Sequence, residues 1–204
     1  MLRFVTVFRV HALFASELPE WRPTVADGTR RCIATRPLPE QLGRLPIPKF
    51  AGTLEAWFAA RDDARAWTER VDREYAPSMA LTTEEHVLFD RRATNGGIKG
   101  KFLFRRKDEL SVADFRAYWL ERHGPIVLRT PEILAYVQSH VVVDGAAYDG
   151  ITEIHWPDFA AAMRGMNSRE MTVEQTGDAA NFAAPGSVEL MFVSERELGP
   201  ARVR

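Results

Sequence analysis

SVADFRAYWLERHGPIV, residues 111–127, is the stretch whose reading decides the fold. Ser111 precedes an apolar-periodic run with Asp114 three residues on, an acidic variant of the capping box that predicts a helix start. Phe115, Trp119 and His123 follow at i, i+4 and i+8 and so share one helix face. Gly124-Pro125 predicts the stop, glycine as the cap and proline as the residue that cannot continue. Before this helix, KGKFLFRR (99–106) predicts a strand; after it, ILAYVQSHVVV (133–143) and DGITEIHW (149–156) predict two more. Phe159, Ala162, Met163 and Met166 mark a second amphipathic helix. A Gly/Ala/Pro-rich loop then leads to a closing strand, SVELMFVSE (187–195). The order is βαββαβ, the ferredoxin-like unit.

Working outward, RRATNGG (91–97) has a linker's composition, and the first half repeats the same order more dimly. A shift of 98 residues lays KFAGTLEAWF (49–58) on AYDGITEIHW, with Gly52 over Gly150 and Glu55 over Glu153. The same shift predicts a first strand at Arg3-Phe4-Val5. Ala64, Trp67 and Val71 form a helix stripe, and EEHVLFD (84–90) corresponds to VELMFVS near the end. Between Phe14 and Pro48 a proline-rich stretch replaces the first helix. The expected fold class is α+β: two ferredoxin-like halves fused as a pseudo-dimeric α/β barrel, the first degenerate. The halves are expected at 1–92 and 98–197. Each open four-stranded sheet would leave one apolar face uncovered, and pairing the two covers both.

The 204 residues carry 27 Lys and Arg against 28 Asp and Glu, a net charge of −1. That balance argues against a nucleic-acid or polybasic membrane surface. A hydrophobic share of 46% and a charged share of 27% fit a globular chain rather than a disordered one. One cysteine, Cys32, excludes an internal disulfide and any multi-cysteine metal site, and it reads as a structural thiol. The opening run is broken by Arg3, Arg9 and His11, and no stretch reaches the ~18 apolar residues of a membrane span. The expected location is the cytoplasm, with a monomer or homodimer as the assembly.

The second half resembles the EthD family of the dimeric α/β-barrel superfamily. The residues that carry this are Arg105-Arg106, the FRAYW and RHGP pieces of residues 111–127, ILAYVQSHVV and YDGITEIHW, together spanning about residues 99–195. Members and relatives include a methylmuconolactone methylisomerase, anthrone-type decarboxylases and aromatic polyketide cyclases. The resemblance implies a cofactor-free pocket between a sheet and its helices, accepting a small, mostly apolar, oxygenated ring. It also implies roles for two residues, since His123 and Tyr136 match pocket residues of the methylisomerase. The first half departs from the pattern, with Val25 and Leu38 at the corresponding positions, so the site is expected in the second half.

His123 is the candidate proton carrier, on an apolar helix face where burial and the helix dipole oppose each other near neutrality. Tyr136 is the candidate for polarising a substrate oxygen. Gln138 and His140 share its strand face at period two and could form a polar wall of the pocket. Tyr118, Trp119 and His155 complete the expected substrate-binding set. His140, Glu153 and His155 have the residue types of a non-haem iron site, but their spacing is unspecific and a positioning role is preferred. His11 and His86 carry no assignment. No phosphate loop, nucleophile elbow or dinucleotide fingerprint occurs.

The expected activity is general acid–base rearrangement, decarboxylation or ring closure of an oxygenated aromatic, lactone or polyketide-like compound, with no cofactor and no metal. Two alternatives stand beside it. One is a haem protein of the chlorite dismutase or dye-decolourising peroxidase type, which also fuses two ferredoxin-like halves, although the GxxDG pattern is missing. The other is a non-catalytic accessory protein holding a hydrophobic metabolite.

Overall fold

A computed structural model describes residues 7–15, 29–42, 48–93 and 96–198. Its contacts group into two compact units: residues up to 85 with 141–145 and 193 onward, and residues 86–140 with 146–192.

In the first unit, β1 (Phe8–Phe14) pairs antiparallel with β3 (Gly52–Phe58) and with β4 (Met79–Asp90). β2 (Arg31–Pro37) lies on the other side of β3 and takes the end of β8 (Glu189–Glu197) beside it. A single turn, α1 (Pro39–Leu42), follows β2. α2 (Arg61–Tyr75) buries Ala64, Trp67 and Val71 against Val10, Leu54 and Phe58 of the sheet, the stripe the sequence predicts. The segment expected to replace the first helix falls largely at 16–28 and 43–47, outside the described residues.

In the second unit, β7 (Gly150–Trp156) pairs antiparallel with both β5 (Ile98–Phe104) and β6 (Ala135–Val141). The strand register exposes the duplication. Glu55 of β3 stands opposite His11 of β1, as Glu153 of β7 stands opposite Lys101 of β5. Both glutamates are buried and both take cations from the neighbouring strand. Arg9 pairs with Glu55; Lys99 and Lys101 pair with Glu153 at 3.2 and 3.4 Å. Removing either carboxylate would take a charge partner from buried cations, although Arg9 would keep Glu85 at 3.1 Å. The counterpart of β5 is therefore Phe8–Phe14. The expected strand at Arg3-Phe4-Val5 lies outside the described residues.

Two local readings are corrected. The helix does not stop at Gly124-Pro125. α3 (Val112–Tyr118), capped by Ser111 accepting from the Asp114 N–H, widens into a π turn over Trp119–His123 and continues as α4 (Gly124–Val127). In a regular helix the Pro125 ring would meet the carbonyl four residues back. The π turn bonds Gly124 N–H to the Trp119 carbonyl five residues back and carries the chain past that clash. Gly124 is helical (φ −50°), and its small size matters because a Cβ would lie 2.6 Å from Leu88 Cδ2.

The second correction concerns the segment after α5 (Phe159–Met166), where a loop is expected. The chain instead makes another π turn over Glu170–Gln175 and a short helix, α6 (Thr176–Ala179). Its polar composition hides the helix; Met171 and Gln175 are the residues it buries.

Candidate functional site

β5 and β7 carry Phe102, Phe104, Thr152 and Ile154 on the sheet face covered by helices. Between that face and the 166–183 segment lies a cavity of about 390 Å³, within the range of small-molecule pockets. Its walls are mainly apolar, with Met166, Met171 and Phe182 prominent. His123 reaches it from the π turn.

The geometry around His123 supplies what a general base needs. Its Nδ1 lies 2.9 Å from Asp178 Oδ2. The other carboxylate oxygen accepts from the Tyr118 hydroxyl at 2.8 Å, and Asn181 Nδ2 donates to that hydroxyl at 3.0 Å. A carboxylate at Nδ1 selects the tautomer with the proton there and leaves Nε2 as the acceptor. The Phe182 ring meets the imidazole edge-on at 4.8 Å and limits its rotation. Burial holds the His123 pKa below its ordinary value, while the Asp178 hydrogen bond and charge pull it back upward. The imidazole is therefore neutral in a resting site at neutral pH, with a charge nearby that would stabilise it once protonated.

The other expected residues divide into separate groups. Tyr136, Gln138 and His140 do lie together on one face of β6, in a closed network beside the cavity rather than on its lining. Gln138 Nε2 donates to the Trp119 carbonyl at 2.9 Å and to the Tyr136 hydroxyl at 2.6 Å, and its Oε1 meets His140 Nε2 at 3.0 Å. Trp119 stacks on His140 with centroids 4.5 Å apart, and His86 lies against the same imidazole at 4.3 Å. Burial, followed by the charges of His86 and Arg116, pushes the His140 pKa down to about 3. Burial drives the Tyr136 phenol well above its ordinary range, partly offset by Gln138, Trp119 and Thr152. Tyr118 touches the site through Asp178, which with burial raises its own pKa.

His155 sits on the opposite sheet face, alternating with the cavity residues Thr152 and Ile154, and the Arg92 guanidinium lies 3.2 Å from its Nδ1. Glu153 shares that face, so His140, Glu153 and His155 do not converge on one point. The residue sequence reasoning missed is Asp178. An i, i+3 Asp178–Asn181 pair in a polar segment gave no periodic signal, and its partner is 55 residues away.

A haem would need an iron ligand and neutralisation of its propionates. His123 Nε2 is a chemically suitable ligand, but among the described residues the cavity lining carries no lysine or arginine. His140 is enclosed by Trp119, His86 and Gln138, and His155 faces a guanidinium. The residues present do not fit a haem.

Matching strand register in the two halves defines the fold class: α+β, two ferredoxin-like halves fused as a pseudo-dimeric α/β barrel. Residues 107–186 match the model of the EthD domain, so the second half of the chain is similar to that family. No curated protein matches the sequence. Among solved structures, an anthrone oxidase-like protein is similar over 98% of both chains at 10% identity, with a TM-score of 0.60. A chlorite dismutase variant from Candidatus Nitrospira defluvii is similar over 92% of this chain and 91% of its own, at 10% identity and TM-score 0.55. An EthD family protein from Bacillus halodurans covers 47% of this chain and 95% of its own at 17% identity, with a TM-score of 0.41. The likeness to the first two shows the fold alone, and chemistry rests on the site. Among the described residues, no helix is long and apolar enough to cross a membrane.

Proposed function

We propose that the chain is a cofactor-independent acid–base enzyme acting on a small, largely apolar, oxygenated ring compound bound in the second-half cavity. The observation that carries this is the 2.9 Å bond between His123 Nδ1 and Asp178, which leaves Nε2 as the basic atom on an apolar wall. In the reaction, Nε2 takes a proton from a carbon next to a carbonyl, and the C–H electron pair moves onto the carbonyl oxygen as an enolate. The Asp178 carboxylate, bonded to Nδ1, balances the imidazolium formed. Return of that proton to a different carbon gives isomerisation; loss of carbon dioxide from a β-keto acid, followed by protonation of the enolate, gives decarboxylation. Such positioned proton transfer supplies about 10²–10⁴-fold, enough for substrates already activated by conjugation.

Tyr118 and Asn181 act as positioning residues for the carboxylate. Tyr136 and Gln138 act as positioning residues for the π turn, because Gln138 holds the Trp119 carbonyl at its start. The test is deuterium exchange, followed by NMR, at the acidic carbon of a panel of aryl ketones, anthrone among them. Exchange faster than the buffer rate that is lost in His123→Gln supports the proposal. Exchange unaffected by that substitution, or none with any member of the panel, overturns it.

A further inference from the structure

The polar atoms of the cavity lining belong to His123, Thr152, Thr172, Gln175 and Thr176, and most of their hydrogens are already committed. Thr172 Oγ1 donates to the Ser168 carbonyl at 2.8 Å, and Thr176 Oγ1 to the Met171 carbonyl at 2.9 Å. Gln175 Nε2 donates to Thr130 Oγ1 at 2.5 Å. His123 Nδ1 is bonded to Asp178. What this wall offers a ligand is predominantly lone pairs: hydroxyl oxygens and the imidazole Nε2. Among the described residues, no lysine, arginine or other fixed positive charge joins the lining. The nearest charge bonded to a lining residue is the Asp178 carboxylate behind His123.

We infer that this cavity is a binding site for a neutral hydroxyarene or enol, whose O–H donates to His123 Nε2 while its ring lies among Phe104, Phe182, Met166 and Met171. It discriminates against an arene carboxylate of the same size. The inference rests on the reading that His123 faces the working cavity, and it narrows the substrate class to uncharged rings, keeping the proposed isomerisation and dropping decarboxylation of a keto acid. A carboxylate entering here loses its hydration, finds mainly acceptors and meets the field of Asp178. A phenolic O–H finds a matched acceptor, and methionine sulfurs and aromatic edges suit a flat ring. The product of proton transfer would then leave in its neutral, reprotonated form.

The experiment is titration calorimetry at pH 7.5 with 2-naphthol, 2-naphthoate and 2-methylnaphthalene, on the wild type and on His123→Leu and Val188→Lys. Val188 is on the lining and half-exposed, so a lysine there adds a cation at the rim while its stem covers apolar surface. The expected order places naphthol at least ~100-fold tighter than naphthoate. His123→Leu should erase the advantage of naphthol over methylnaphthalene, and Val188→Lys should strengthen naphthoate binding by tenfold or more. Naphthoate binding as tightly as naphthol overturns the inference, as does a naphthol that does not bind or whose advantage survives His123→Leu. Selective naphthol binding without catalysed proton exchange on the ketone panel would leave this inference standing and sink the proposed reaction.

Discussion

His123 and Asp178, 55 residues apart in the chain, meet at 2.9 Å where a π turn of one helix passes the short helix α6. The contact joins two helical irregularities, since π turns occur at both 119–123 and 170–175. Each extra residue rotates the side chains after it relative to a regular helix. In this way His123 reaches the cavity wall with Asp178 bonded behind it, and π turns often occur at functional sites.

On the proposed mechanism, His123→Gln should lower kcat by roughly 10²–10⁴-fold with little change in melting temperature. Asp178→Asn should keep the fold and lower activity less. It should also move the acid limb of the kcat/KM profile to lower pH, because the Asp178 bond and charge are what raise the His123 pKa against burial. A limb that moves to higher pH would refute the assignment. Turnover measured from pH 4 to 8 for the three proteins settles the sign.

His140 makes a separate prediction about stability. Its pKa is pushed down to about 3, against an ordinary value of 6.5, so the unfolded chain binds this proton more readily than the folded one. The stability it contributes is fully present above pH 6.5 and is lost progressively as the pH falls toward 3. At about 1.4 kcal/mol per unit, complete loss is on the order of 5 kcal/mol. Urea unfolding at pH 7.5 and pH 5 should show a steeper decline for the wild type than for His140→Gln. Parallel declines would mean that His140 titrates normally.

Much of this fold was legible in the sequence because its signals are local. The Ser111 cap, the Phe115–Trp119–His123 stripe and the Ala64–Trp67–Val71 stripe each lie within a few turns of chain, and each appears as read. The duplication was legible through Glu55 and Glu153, since a buried glutamate must keep its cation across the strand. The π turn was not legible, because Gly-Pro carries the same signature whether a helix ends or widens around it. Nor was the Asp178 contact, which depends on two such widenings at once. Of the residues expected around the pocket, the cavity lining includes His123, whereas Tyr136, Gln138 and His140 bond one another. Period two gave their common face; nothing in it could say whether that face met a ligand or a helix.

Gly150, in the YDG piece, explains its own presence. A Cβ there would fall 2.6 and 2.8 Å from two carbons of the Trp119 ring and 3.0 Å from Phe104 Cζ. Those rings are locked against each other, with Phe104 and Trp119 edge-to-face at 4.9 Å and Trp119 stacked on His140. Gly150→Ala should therefore destabilise the protein by about 1–3 kcal/mol, the usual cost of overpacking a rigid site. Gly124→Ala meets the flexible end of Leu88 instead and should cost less. Thermal unfolding of the two variants, compared side by side, checks the order.

Tyr136 separates a contact role from a positioning role. Its hydroxyl accepts from Gln138 Nε2 at 2.6 Å in a fully buried network. Tyr136→Phe keeps the ring and removes that acceptor, leaving one Gln138 N–H unsatisfied away from water, at a cost of about 1–3 kcal/mol in stability. A hydroxyl that touched the reacting oxygen would show its loss mainly in kcat, with stability almost unchanged. A positioning hydroxyl would show the reverse, with lower stability and a modest fall in kcat. The double variant Tyr136→Phe with Gln138→Leu removes donor and acceptor together, though the Trp119 carbonyl and His140 Nε2 each lose a partner as well. It should recover part of the stability lost in the single variant while kcat falls further, because the start of the π turn is no longer held. A single variant with full stability and kcat reduced ~10²-fold would instead bring Tyr136 into direct contact with substrate.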